Sequence, residues 1–214
     1  MPASIFVLAG VNGAGKSSIG GAAFLARDAD YFNPDQAARV LVDTNPGLSL
    51  EEANAQAWEV GRQGLETALE NGLNFAFETT LGGTTITSML LAGAQAGAEI
   101  HVWYAGLSSP ELHVQRVRAR VRAGGHDIPE DRIRSRYASS RTNLIKLMPR
   151  LASLRVYDNS AEADPKVGHA PRPELLLHMQ NGRIVAHAAL AQVPQWAKAI
   201  LAAALEVSGV HESR

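Results

Sequence analysis

The chain has no cysteine, so neither a disulfide framework nor a thiolate metal site is open to it. It also lacks an excess of either charge. Twenty basic residues stand against 21 acidic ones, for a net charge of −1, which excludes a nucleic-acid footprint spread over the whole chain. No apolar run approaches the ~20 residues of a membrane span. The run before Gly10 is too short for a secretory signal core, and no basic residue precedes it. No repeat of fixed period is visible. These absences lead to the expectation of a cytoplasmic protein with no membrane partner. At 214 residues the chain suits one domain with a small appendage and can bury about 70% of its unfolded surface.

What is present starts with Gly10-Val11-Asn12-Gly13-Ala14-Gly15-Lys16-Ser17, which reads G-x-x-x-x-G-K-[ST], the phosphate-binding loop. The glycines allow positive φ and a close backbone approach. Successive N–H groups can then line a nest for an anion. Lys16 is placed to add a point charge over the β- and γ-phosphates, and the Ser17 hydroxyl to ligate magnesium. Ser4 to Ala9 reads as a buried parallel strand, and helix-compatible sequence follows Lys16. Strand, loop, helix is the context that the motif requires. Neither an Asn-Lys-x-Asp guanine signature nor an ABC-type Leu-Ser-Gly-Gly-Gln is found.

Two carboxylates follow predicted strands. In Tyr31-Phe32-Asn33-Pro34-Asp35, Asn33 reads as an N-cap with Pro34 at the first helical position. Asp35 then has two readings: a first-turn carboxylate facing the helix dipole, or a ligand-facing group at a strand's carboxyl end, where open α/β sheets bind ligands. Glu78, after the strand Phe75 to Phe77, is equally a solvated turn charge or a functional group, with Thr79 and Thr80 beside it. Between them, Ser49 to Glu70 is a long helix opened by a Ser49/Glu52 capping box. Leu50, Ala53, Ala57, Val60, Leu65 and Leu69 give its apolar stripe, and Trp58 reads as core. Further on, Glu99 to Leu107 is a strand, with His101 as an ordinary strand residue.

Eight of the 20 basic residues lie between Arg116 and Arg141. They sit on two predicted helices separated by Gly124-Gly125, the second opened by a capping box over Asp127 to Glu130. Their number outruns the nearby carboxylates, which favours a lid of about residues 116–141 over two solvated faces. A guanidinium fork suits phosphate oxygens. Aromatic platforms for single-stranded nucleic acid are scarce near it. Leu154 to Tyr157 is the last parallel strand, and residues 161–173 form a loop. Asn181-Gly182 then turns a hairpin, and Pro194 to Val207 is a closing helix. The fold expected is α/β: a P-loop NTPase, three-layer α/β/α, with a mostly parallel five-stranded sheet, a helical lid and a C-terminal hairpin plus helix. Residues 1–165 would form the core and 166–214 an appendage packed on it.

Together with Leu8-Ala9, Phe77-Glu78-Thr79-Thr80, the segment Arg120 to Pro129, Arg134-Ser135-Arg136-Tyr137 and Tyr157-Asp158-Asn159-Ser160, these motifs resemble the zeta-toxin family of P-loop kinases, in family order from residue 4 to 160. The resemblance implies ATP with Mg2+ and a kinase acting on a small-molecule hydroxyl, as zeta toxins act on a UDP-N-acetyl amino sugar. It implies an antitoxin protein as partner, and no nucleic acid. By motif, Asp35 would accept the hydroxyl proton, with Lys16, Arg120 and Arg136 as the other catalytic residues. Gly10, Asn12, Gly13, Ala14, Gly15, Lys16, Ser17 and Ser18 would hold the nucleotide, with Ser17 on the metal. Glu78, Thr79 and Thr80 would face the substrate, Glu78 shaping either the substrate or the magnesium side, and the turn at residues 157–160 would lie near the adenine. The alternatives are a kinase of another metabolite or of a nucleic-acid end, and a regulatory ATP-binding module without transfer.

Overall fold

In the computed structural model, residues 2–16, 19, 30–161 and 172–209 are described. Ser17, Ser18 and most of the loop at residues 161–173 fall outside them. Seven strands form one sheet in the order β2-β3-β1-β4-β5-β6-β7. The strands β1 (Ser4–Ala9), β2 (Asp30–Phe32), β3 (Phe75–Thr79), β4 (Glu99–Gly106) and β5 (Ser153–Asp158) run parallel. The hairpin β6 (Glu174–Gln180) and β7 (Arg183–His187) is antiparallel. This is the α/β P-loop kinase-like fold. The hairpin joins the sheet edge to edge rather than lying on the core: β6 pairs along β5 and satisfies an edge whose N–H and C=O groups would otherwise be open. Asn181 and Gly182 take the positive φ values, 48° and 73°, that its two-residue turn needs.

The central strand β1 reads as an unbroken apolar run because both of its faces are buried. Ile5, Val7 and Ala9 point into the main core with Leu65, Leu90, Ile100 and Val102. Phe6 and Leu8 alternate to the other face, with Ala76 and Trp103. Full burial of each such aliphatic side chain contributes about 1.5–3 kcal/mol.

The helices begin where local chemistry sets them. Asn33 caps α1 (Pro34–Thr44), accepting from the Gln36 N–H at 3.1 Å with Pro34 in the first turn. Both halves of the Ser49/Glu52 capping box form at the start of α2 (Leu50–Asn71), which ends on Gly72 in the left-handed region. The buried stripe of α2 is smaller than expected: Ala53, Ala57, Gly61, Leu65 and Ala68. A Cβ on Gly61 would lie 2.7 Å from the Phe32 ring, and one on Gly64 2.9 Å from that of Phe75. The helix therefore lies close over these rings, and its contact face admits only small residues. Leu50 and Val60 turn outward, and Trp58, expected in the core, is 46% exposed.

The helices α3 (Thr84–Gln95), α4 (Pro110–Arg122), α5 (Glu130–Leu147) and α6 (Lys198–Val207) complete the described set. Ser109 caps α4. The capping box expected over Asp127 to Glu130 does not form. Pro129 takes the cap position without a side-chain bond, so Glu130 is the first helical residue rather than the third. The Asp127 carboxylate instead accepts from the Ile128 N–H at 2.8 Å. Val114, Val117 and Ile133 bury against Val11, which fastens the α4–α5 pair to the phosphate loop. Among the described residues no helix is long and apolar enough to cross a membrane.

Candidate active site

The phosphate loop leaves β1 at Gly10, whose φ is 143°. A Cβ there would lie 2.3 Å from the Ala105 carbonyl oxygen on β4, so the sheet itself forbids a side chain. Gly13 and Gly15 also have positive φ, 83° and 74°. The floor beneath is tied down. The Gly10 N–H donates to Thr79 O at 3.2 Å. Asn159 donates to Ala14 O at 2.8 Å, so the turn after β5 braces the loop. The buried His113 of α4 donates from Nδ1 to Asn12 O at 2.9 Å. Desolvation lowers this imidazole to about 4, so it is neutral at pH 7.

Lys16 folds back over this floor. Its Nζ donates to Gly10 O at 3.1 Å and lies 3.9 Å from Glu78 Oε2, with both side chains 13% exposed. Burial lowers the amine, and the Glu78 and Asp35 charges oppose that. The strand register explains the meeting. Leu8 pairs with Glu78, and Phe32 pairs with Phe77 one residue earlier. Both carboxylates therefore leave adjacent strands at the same end as Lys16. The Tyr31 hydroxyl donates to the other oxygen of Glu78. Burial and that bond keep the phenol protonated well above its ordinary range.

Asp35 sits opposite. Arg120 Nη1 of α4 lies 3.5 Å from its Oδ2, and His126 Nε2 lies 3.6 Å from its Oδ1. Arg136 of α5 reaches the loop from the far side, donating from Nη1 to the buried Asn12 Oδ1 at 2.8 Å. Other lid arginines are committed elsewhere. Arg118 and Arg134 pair with Glu130, and Arg134 also with Glu111. Arg141 lies over the Tyr137 ring and bonds backbone oxygens. Thr79 and Thr80 line the cleft, and their hydroxyls accept from the Leu81 and Gly82 N–H groups. That turn, with Leu81 at φ 53°, is held from behind by Ser140 and Asn143 of α5.

Asn12, Lys16, Asp35, Glu78, Thr79, Thr80 and Arg136 open onto one cleft of about 1110 Å³. Lys16, Glu78, Asp35 and Arg136 line its inner end, and α2 supplies the opposite wall through Leu50, Asn54 and Trp58. Sequence spacing did not reveal four contributors: Trp58, Tyr31, His113 and His126. Trp58 and Tyr31 depend on how α2 and β2 meet. The two histidines lie at motif-rich places, but only the folded contacts separate them from any other surface histidine. Within the described residues no three His, Asp or Glu side chains form a metal cluster, and a magnesium ion held through a hydroxyl and phosphate oxygens needs none. The glycine cradle with Lys16 over it fits the phosphates of a nucleotide.

A mostly parallel sheet whose first strand delivers a phosphate loop, with Glu78 on the neighbouring β3, Asp35 just past the end of β2 and arginines above, defines a P-loop kinase. Residues 1–164 match the model of the Zeta toxin family, and the chain belongs to that family. An uncharacterised protein of Haemophilus influenzae is 28% identical over 133 residues, covering 60% of this chain and 88% of that protein. A chain in the crystal structure of AvrRxo1-ORF1:-ORF2 with ATP superposes with a TM-score of 0.65 at 12% identity, over 100% of this chain and 66% of that one. This chain therefore spans just under two thirds of that protein's length. The PezAT chromosomal toxin–antitoxin system of Streptococcus pneumoniae gives a TM-score of 0.55 at 14% identity, over 100% of this chain and 81% of that one. At these identities the two structures establish the fold alone.

Proposed function

We propose that the protein transfers the γ-phosphoryl group of ATP to a hydroxyl of a small molecule, and that a UDP-N-acetyl amino sugar is the first acceptor to test. The observation that carries this reading is the meeting of Asp35, Lys16 and Glu78 at the inner end of a single cleft. ATP supplies the phosphoryl group, and magnesium, which the Ser17 hydroxyl would help to hold, would offset the charge on its oxygens.

On this reading Lys16 leaves its resting contact with Gly10 O to face the β/γ-phosphates. Glu78 steadies the Lys16 ammonium and is itself held by Tyr31. Asp35 takes the proton from the acceptor hydroxyl as that oxygen bonds to phosphorus and the bridging bond to the β-phosphate breaks. Arg120 and Arg136 offset charge on the transferring group. The α2 wall receives the acceptor, with the exposed Trp58 face available to a ring. The chemistry then lies in residues 1–165, and residues 166–214 brace the sheet. An antitoxin protein is the proposed partner, in keeping with the family and with the solved toxin–antitoxin relative.

The deciding experiment incubates the protein with γ-labelled ATP, magnesium and a panel of hydroxyl compounds that includes UDP-N-acetyl sugars, beside Lys16→Ala. Label appearing on an acceptor with the native chain alone supports the reading. ATP binding with no labelled acceptor would make the chain a nucleotide-binding module instead.

A further inference from the structure

The lid carries two side chains to Asp35 and completes a hydrogen bond with neither. The side chain of His126 is 7% exposed, and both of its ring nitrogens are buried without a hydrogen-bond partner. The Nε of Arg120 is in the same condition. A buried polar atom left unmet costs about 1–3 kcal/mol, so three of them on the two side chains that reach Asp35 mark an arrangement that is not yet complete. The distances say how far it has to go. His126 Nε2 and Arg120 Nη1 stand 3.6 and 3.5 Å from the two oxygens of Asp35, a few tenths of an ångström beyond a good N–H···O bond. One small inward movement of the lid would bring both within range.

The Gly-Gly turn is built for this placement. Gly124 is at φ 88°, and the Gly125 N–H returns to Arg120 O at 2.9 Å. A Cβ on Gly125 would lie 2.6 Å from Arg120 Cγ. His126 O in turn accepts from Arg120 Nη2 at 3.3 Å. The turn folds His126 back toward Arg120 and ties the two together through these contacts.

We infer that His126 is a positioning residue for Asp35: its Nε2–H orients the carboxylate when the lid closes over the bound pair. This rests on the reading of Asp35 as the base. An imidazole suits the task because it can donate without carrying charge. The groups facing it are Asp35 and Arg39 from α1, Arg120 from α4 and Asp127 from its own loop. Burial is the leading influence and lowers its affinity for a proton, so the ring is neutral at pH 7. A second full cation beside Asp35 would weaken it as a base. Each carboxylate oxygen has two acceptor sites, so one bond from His126 and one from Arg120 leave room for the acceptor's hydroxyl.

The test has two parts. Nitrogen-15 histidine spectra are recorded for the native chain and for Asp35→Asn, with and without magnesium and a non-hydrolysable ATP analogue. The expected result is His126 as the Nε2–H tautomer, its signals moving when the analogue is added, and a lower titration midpoint in Asp35→Asn. Signals and midpoint unchanged in Asp35→Asn would overturn the inference, whatever the acceptor proves to be. The second part follows loss of γ-phosphate from ATP, with UDP-N-acetylglucosamine and with water alone as acceptor. His126→Ala should lower kcat about tenfold, within the range for a lost orienting contact, with KM for ATP changed less than about twofold. His126→Gln keeps a donor and should recover to within about threefold. Glutamine does not titrate, so the acid limb of kcat should move to lower pH. In an Asp35→Asn background His126→Ala should cost nothing further. If Asp35→Asn alone keeps its activity, the base reading fails. If Asp35→Asn is inactive while His126→Ala works normally, the positioning role fails.

Discussion

His113 and His126 are both removed from solvent and both held neutral at pH 7, yet their surroundings differ. His113 lies beneath the phosphate loop and donates to Asn12 O at 2.9 Å. His126 lies in the lid, with neither ring nitrogen bonded. The same contrast runs through the regions around them. The donor floor is closed by ordinary hydrogen bonds: Gly10 to Thr79, Asn159 to Ala14, Arg136 to Asn12. The acceptor side meets Asp35 through contacts of 3.5 and 3.6 Å. The floor is closed by hydrogen bonds, and the groups at Asp35 meet only as longer ion-pair contacts. Catalytic hydrogen bonds commonly tighten only once substrates are bound.

That contrast can be tested at several strengths. The largest effect should come from Lys16→Ala. With the floor intact, Tm should hardly move, while transfer falls on the order of 10³-fold, as when a preorganised charge-stabilising donor is lost. A Tm drop as large as that of a core deletion would mean that Lys16 belongs to the floor's structure instead.

The next effect concerns stability and pH. His113 titrates near 6.5 when unfolded and about 4 when folded. Between those values the unfolded chain binds more protons. Stability is therefore full above about 6.5 and falls as the pH drops toward 4. Going from pH 7 to pH 5 should cost about 2 kcal/mol through this one group. Denaturant midpoints at the two pH values measure it, and His113→Gln should flatten the difference. An equal slope in the variant would show that other groups set the acid sensitivity.

A smaller effect is expected on the open side. Trp58→Ala should raise KM for a ring-bearing acceptor about tenfold, in line with the loss of one aromatic contact, and leave KM for ATP alone. The smallest belongs to the lid's outer surface, where Arg134→Ala removes exposed pairs with Glu111 and Glu130. Such pairs contribute little, so transfer should stay within about twofold and Tm within error.

The locally determined features were the part legible in sequence. Glycine spacing, the Asn33 cap, the Ser49/Glu52 box and the Asn181-Gly182 turn are set by neighbours within a few residues, and each formed as the sequence implied. The open side depends on contacts between distant elements. Which arginines face inward follows from how α4 and α5 lie together, and Glu111 and Glu130 absorb two of them. Trp58 was misread because apolar periodicity cannot register that Gly61 and Gly64 draw α2 down onto two phenylalanine rings. The box over Asp127 does not form because Pro129 takes the cap position and the helix starts two residues later than the box requires, at Glu130. Asp35 and Glu78 stood at the right strand ends, but only the register brings them to Lys16.

The first glycine of the phosphate loop bears on how relatives of this chain should be judged. A side chain at Gly10 would strike the Ala105 carbonyl oxygen whether or not a nucleotide ever bound. A descendant that had given up phosphoryl transfer would keep that glycine to keep its sheet. On the proposed mechanism, loss of function should show first at Lys16, Asp35 and His126, whose resting contacts the fold can spare. An intact opening glycine is evidence of ancestry, and the state of those three positions is the better guide to whether a homologue is still an enzyme.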